Sequence, residues 1–421
     1  MRADEILKHS LAHEALRLTE AHDRFVRERL NLIASENVIS PSVRAALASD
    51  LNGRYTSHGH YADYQRLEDE VSAAFKRMMG AKFCSVRPVS GTVANMLAFL
   101  ALAKHGDRML ALKETDGGHK TFQSAGLAGT LGLKFNPMPF NPEEMVVDLD
   151  GLKREAKKVR PRFIVIGASL ILFQPPVREI VSIARDEKAS VMYDGAHEFG
   201  LIFTGELDNP VKEGVDIMTA STHKSFPGPQ GGIIFSQKYG MRVLSLLQSI
   251  FANHHPNRIP GLAIALQEMT DFGKEYTRQA VANAKRLAEE LHGRGLNVLC
   301  EKLGFTETHQ IAVDVSSEGG SSSAGDRLAK AGILCKGIRL PRDEKTDRKS
   351  GLRLGTAELT RLGMKSSEMS EVARLMASAL KGTYPARIRR EVLTLKKEYG
   401  RVHYSIDDGM DAYDLPSSER E

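Results

Sequence analysis

Between residues 70 and 250 short apolar runs alternate with stretches whose apolar positions recur at helical spacing. The runs at 109–112, 163–169, 191–194, 217–220 and 232–236 have the length and content of buried strands, and 151–159 and 176–187 carry a helical pattern between them. Such alternation predicts parallel βαβ units, a single α/β sheet wound by helices on both faces. Residues 1–30 read as an amphipathic helical arm, and 271–292 as a long helix leading into a smaller unit. That unit holds apolar runs at 310–315 and 351–356 and two polar segments, 316–324 and 343–350, expected as loops. The expected organisation is an arm at 1–30, a large domain at 31–280 and a small C-terminal α+β domain at 281–421.

Ligands in open α/β sheets bind beyond the carboxyl ends of the strands, and here those ends carry reactive side chains. The run at 217–220 is followed by Ser221-Thr222-His223-Lys224 and then a Gly/Pro-rich turn. A lysine partly desolvated at such a place is a neutral amine that can form a Schiff base with an aldehyde. The run at 191–194 ends in Asp194, with His197 three residues on. Ser90-Gly91-Thr92 opens a helical stretch, offering free backbone N–H groups, two hydroxyls and the positive end of the helix dipole to a phosphate. Each motif alone has a plain reading: a solvated His-Lys pair, a helix-capping aspartate, an ordinary N-cap. Their order (phosphate cup, ring aspartate, lysine) is what pyridoxal phosphate needs, because its electron sink works only while a carboxylate keeps the ring nitrogen protonated. Arg353, between Leu352 and Leu354, is a natural bidentate partner for a substrate carboxylate.

Composition narrows the class. A net charge of +5, with no basic run interleaved with aromatics, gives no reason to expect nucleic acid. No apolar stretch approaches membrane-spanning length and no signal peptide is visible. Cys84, Cys300 and Cys335 are widely spaced, without a metal-binding pattern, so a cytoplasmic protein with no metal site is expected.

Read as whole motifs, the chain resembles serine hydroxymethyltransferases, specifically the archaeal branch of that fold-type I family. Leu32-Ile33-Ala34-Ser35-Glu36-Asn37, Ser90-Gly91-Thr92 with Ala94-Asn95, Gly117-Gly118-His119, Asp194-Gly195-Ala196-His197, Ser221-Thr222-His223-Lys224, Asn253-His254-His255, Gly351-Leu352-Arg353-Leu354-Gly355 and Val402-His403-Tyr404-Ser405 fall in family order. The resemblance implies a mostly parallel, seven-stranded-type sheet and a homodimer with shared active sites. It also implies that Lys224 carries the cofactor, Asp194 pairs with the ring nitrogen, and His119 stacks on the ring. Ser169 and His197 would contact its substituents, and Ser90, Gly91 and Thr92 would hold its phosphate. Tyr55 and Gly261 would reach in from the neighbouring subunit, Arg353 and Ser35 would grip the amino-acid carboxylate, and His223 would position the lysine. The implied activity is serine/glycine hydroxymethyl transfer, with tetrahydrofolate or tetrahydromethanopterin as the one-carbon carrier.

Two departures fall on the carrier side. The family's glutamate two residues after Tyr55 is Ser57 here, leaving His58, His60 and Asp63 as replacement proton carriers. Gly337 stands near where the family places an asparagine that bonds the pterin ring. A pterin-independent aldolase of β-hydroxy amino acids is therefore a second reading, and a non-catalytic paralogue a third. Intact Lys224, Asp194 and Arg353 argue against the third.

Overall fold

The apolar runs become strands because they are buried on both faces, as in a sheet covered on each side by helices. In the computed structural model, which describes residues 3–56, 59–382 and 385–414, they form the middle of one sheet. Its strands are β1 (Phe83–Ser85), β2 (Arg108–Ala111), β3 (Lys134–Pro137), β4 (Phe163–Ile166), β5 (Ser190–Asp194), β6 (Ile217–Ser221) and β7 (Gly232–Ser236). Their spatial order is β1-β7-β6-β5-β4-β2-β3, a seven-stranded sheet. The pairs from β6 to β3 are parallel, and β7 alone runs antiparallel to both its neighbours. The edge strands β1 and β3 are partly exposed and lack an apolar pattern, which is why the sequence did not announce them.

Alternate strand residues serve opposite faces. Ile164, Ile166, Val191, Tyr193 and Met218 pack beneath the amphipathic helices Leu149–Val159 and Val177–Asp186. Phe163, Val165, Met192, Ile217 and Ile234 meet the almost wholly apolar helix Gly91–Leu102 on the other side.

A second sheet is antiparallel, built from β8 (Asn297–Val298), β9 (Gln310–Asp314), β10 (Lys336–Ile338) and β11 (Gly351–Gly355) in the order β8-β9-β11-β10. It has its own core, shared with the helices Gly273–Gly293 and Ser366–Leu380. Leu30 and Leu32 belong to that core, because Leu30–Asn31 pairs in parallel with Ile333–Leu334. The polar segment 316–324 is not a loop throughout: the helix Gly320–Lys330 begins inside it, burying Ser321, Ala324 and Leu328. Gly and Ser at its exposed positions concealed that period.

A fully buried ion pair, Arg361 with Glu268, ties the helix Ala357–Arg361 to the helix Arg258–Asp271. Among the described residues no helix is long and apolar enough to cross a membrane.

Candidate active site

The parallel strands of the large sheet deliver their side chains to one edge. Asp194 is the last residue of β5, Lys224 follows the end of β6, and Ser169 follows the end of β4. Ser90 is the N-cap of the helix Gly91–Leu102, its hydroxyl accepting from Val93 N at 3.2 Å. The turn is pressed against its neighbours. A Cβ on Gly91 would lie 2.5 Å from Ser221 Oγ, and one on Gly232 would lie 2.2 Å from the Ser90 carbonyl. Only bare backbone fits there, so the turn's N–H groups stay open to an anion while Thr92 is exposed beside them.

Asp194 is buried and held by two donors. Asn95 Nδ2 donates to Oδ2 at 2.7 Å and the Ala196 N–H to Oδ1 at 3.0 Å. The Thr219 hydroxyl donates to Asn95 Oδ1 at 2.6 Å, which fixes the orientation of the amide. Each carboxylate oxygen keeps a lone pair for one further N–H. His119 Nδ1 lies 2.8 Å from the Thr121 hydroxyl, and burial lowers its pKa against the pull of Asp194.

Lys224 follows a buried strand end and has lost much of its hydration. Desolvation lowers its amine pKa to about 8; Asp194 opposes that shift and Arg353 adds to it. Asn37 anchors the segment, donating to the Lys224 carbonyl at 2.7 Å and lying 2.8 Å from the Tyr276 hydroxyl. Ser225 Oγ donates to the His197 carbonyl at 2.5 Å, joining the lysine turn to the aspartate turn. The imidazole of His223 is held neutral, its pKa lowered to about 4 by burial and by Lys224. Beneath the site, Glu198 is fully enclosed, accepts from Tyr193 Oη at 2.9 Å and has its pKa raised to about 8 by burial.

Arg353 projects from β11 with 2 % of its surface exposed. Its Nη1 donates to the Ser169 carbonyl and to His197 Nε2. A guanidinium can only donate, so His197 Nε2 accepts and the imidazole is neutral, in agreement with a pKa pushed well down by burial. A second buried imidazole, His309, stacks on His197 with centroids 6.4 Å apart. Ala34 packs on Gly355, two residues beyond Arg353, where there is no room for a side chain, and the next residue, Ser35, lines one cavity with His223.

The structure thus gathers Lys224, His223, Asp194, His197, His119, Ser169, Ser90, Gly91, Ser35 and Arg353. Tyr55, 48 % exposed, and Gly261, on the helix Arg258–Asp271 near Val43, are not part of that group within one chain. Ser57 and His58 lie outside the described residues, while His60 and Asp63 are exposed. Asn37 and Asn95 stood in quoted motifs without a role and Glu198 and His309 escaped sequence reasoning altogether, since the contacts that give them a role form only in the fold.

These residues fit pyridoxal phosphate. An amine with lowered pKa, a carboxylate fixed by two donors and a helix N-terminus closed by glycine share one strand-end site. Arg353 Nε and His197 Nδ1 are buried there without a protein partner.

The family model for serine hydroxymethyltransferase matches residues 10–376. Proteins named serine hydroxymethyltransferase from Methanopyrus kandleri and Archaeoglobus fulgidus are each 41% identical to this chain. The first match covers 96% of this chain and 97% of that protein, the second 96% and 94%. Among solved structures, the L-threonine transaldolase from Pseudomonas fluorescens in its internal aldimine state superposes with a TM-score of 0.85 at 29% identity. That match covers 97% of this chain and 96% of the transaldolase. With its sheet, its strand-end chemistry and nearly its whole length in agreement, the chain belongs to the serine hydroxymethyltransferase family, whose members are pyridoxal-phosphate-dependent transferases.

Proposed function

We propose that the protein interconverts serine and glycine, passing the hydroxymethyl carbon to a tetrahydropterin in one-carbon metabolism. The observation that carries this reading is the one strand-end site that brings together the turn of Lys224, Asp194 at the end of β5 and Arg353 on β11, with both charges acting on the lysine. Pyridoxal phosphate, when bound, supplies the electron sink that makes a bond at the amino acid's Cα breakable. Lys224 would bind its aldehyde, and when free its amine, with a pKa of about 8, can take up and release protons near neutrality. Asp194 would hold a proton at the ring nitrogen, and His119 would lie against the ring. Ser90, Gly91 and Thr92 would receive the phosphate, and Ser169 and His197 would contact the ring substituents. Arg353 and Ser35 bind the α-carboxylate, which fixes the bond at Cα that is presented for cleavage. His223 stays neutral beside the lysine and adds no competing charge.

Tyr55 and Gly261 complete the phosphate cup of a neighbouring subunit in this reading, making the working unit a homodimer. The carrier is tetrahydrofolate or tetrahydromethanopterin, and the setting is the cytoplasm, in keeping with three free cysteines.

The test is glycine formation from serine with each tetrahydropterin and with none. Glycine released only with a pterin supports the transferase and names its carrier. Ser57, in place of the family's glutamate, favours a second reading, a pterin-independent aldolase. Cleavage of threonine or allo-threonine with serine left untouched under both pterins would establish that reading instead.

A further inference from the structure

Arg353 has a charged neighbour on its own sheet. β10 and β11 pair so that Lys336 stands directly opposite Arg353, and opposite residues of adjacent strands project to the same face. Two cations so placed repel. Neither is neutralised by the protein: Arg353 donates to a carbonyl and to an imidazole, and among the described residues no hydrogen bond or ion pair engages the Lys336 ammonium. Lys113 on the same rim differs, reaching Glu344 at 2.7 Å and Asp116 at 3.6 Å.

Lys336 is exposed, and its charge is felt at the site. It acts on Lys224 and on His119. Desolvation lowers its own pKa, Arg353, Lys120 and Lys349 lower it further, and Glu114 opposes them. An α-carboxylate on Arg353 would answer one of the two opposed cations. The other is left for a second anion on the same ligand, because the two side chains share a sheet face and one strand spacing separates them.

We propose that Lys336 is a specificity-determining residue that receives a second carboxylate, carried on the β-carbon of the amino-acid substrate. The substrate class is β-hydroxy dicarboxylic amino acids, of which 3-hydroxyaspartate is the smallest. Cleavage breaks its Cα–Cβ bond, leaving the electron pair on Cα, which takes up a proton. The β-hydroxyl gives up its proton as Cβ becomes an aldehyde carbon, so the products are glycine and glyoxylate and no oxidant, reductant or carrier enters. The inference rests on the role proposed above for Arg353.

The test is calorimetric titration of the holoenzyme with L-aspartate and with L-alanine, neither of which has a β-hydroxyl to cleave. Aspartate should bind about tenfold more tightly than alanine, the effect expected of one charge-assisted contact. Lys336→Met should abolish that preference with alanine affinity held within about twofold, and Lys336→Arg should retain it. Equal affinities in the parent enzyme, or a preference surviving Lys336→Met, would overturn the proposal. So would a Lys336→Met variant weakened toward tetrahydrofolate, which brings its own carboxylates, but not toward aspartate. Arg353→Lys tests the supporting reading separately: unchanged alanine affinity there would remove the α-carboxylate clamp, whatever Lys336 does.

Discussion

Asn95 spans two strands, donating to Asp194 on β5 and accepting from Thr219 on β6. Replacing it with alanine removes one charge-assisted hydrogen bond and leaves a buried carboxylate oxygen short of a donor, a loss of about 1.5–3 kcal/mol. Asn95→Ala should therefore hold pyridoxal phosphate at least about tenfold more weakly, read by titrating cofactor into the apoenzyme. Cofactor affinity unchanged in that variant would show that Asp194 needs no help from the helix. Lys224 gives a second expectation. With its pKa lowered to about 8, the amine is protonated below that value and neutral above it. Only the neutral amine attacks an aldehyde, so the apoenzyme should capture the cofactor covalently faster as pH rises, with a midpoint near 8. Borohydride trapping and mass spectrometry at a series of pH values would follow it; a midpoint near that of an ordinary lysine would contradict the buried environment. The reactive residues were legible in the sequence because each stands in a short motif at a strand end. Asn95, His309 and Lys336 were not, because each acquires its meaning from residues on another element, such as Asp194 99 positions from Asn95.

Elements were legible in proportion to their burial. β5, β6 and β7 are buried at every residue and lie within a residue of their expected positions. β1 and β3, at the sheet's edges, carry Cys, Ser, Lys and Pro and have no apolar run to read. The segment 316–324 misled by composition, since glycine and serine suit a loop and here also start a helix. At this scale the phosphate cup depends on β7 as much as on its own helix. Gly232→Ala would drive a methyl into the Ser90 carbonyl, a backbone atom that cannot rotate away. The variant should fold with a loss of about 1–3 kcal/mol and with phosphate affinity reduced, whereas Gly53→Ala, which meets nothing, should leave both unchanged. Equal cofactor affinity in the two variants would mean that the turn tolerates displacement.

For the molecule as a whole, the proposed homodimer makes a prediction that no single-chain account shares. If Tyr55 serves the neighbouring subunit's site, a Tyr55→Ala chain and a Lys224→Ala chain fail for different reasons and repair each other when mixed. Random pairing places half the chains in heterodimers, each with one intact site, so about a quarter of the parent activity should return. No recovery after unfolding and refolding the mixture, with heterodimers present, would place Tyr55 in its own subunit's site.

The pairing of Leu30–Asn31 with Ile333–Leu334 has a consequence in time. The segment that presents Ser35 leaves the ribosome early, yet the strand that seats it is made about 300 residues later, a wait of roughly 15–60 s at ordinary rates of translation. Throughout that interval the aspartate, the phosphate turn and finally the lysine can be assembled on the growing sheet while Leu30 and Leu32 have no core to enter. A nascent chain thus holds its lysine, aspartate and phosphate turn before Arg353 exists to recognise an amino acid, and Leu30 and Leu32, made early, are among the last residues to find their place.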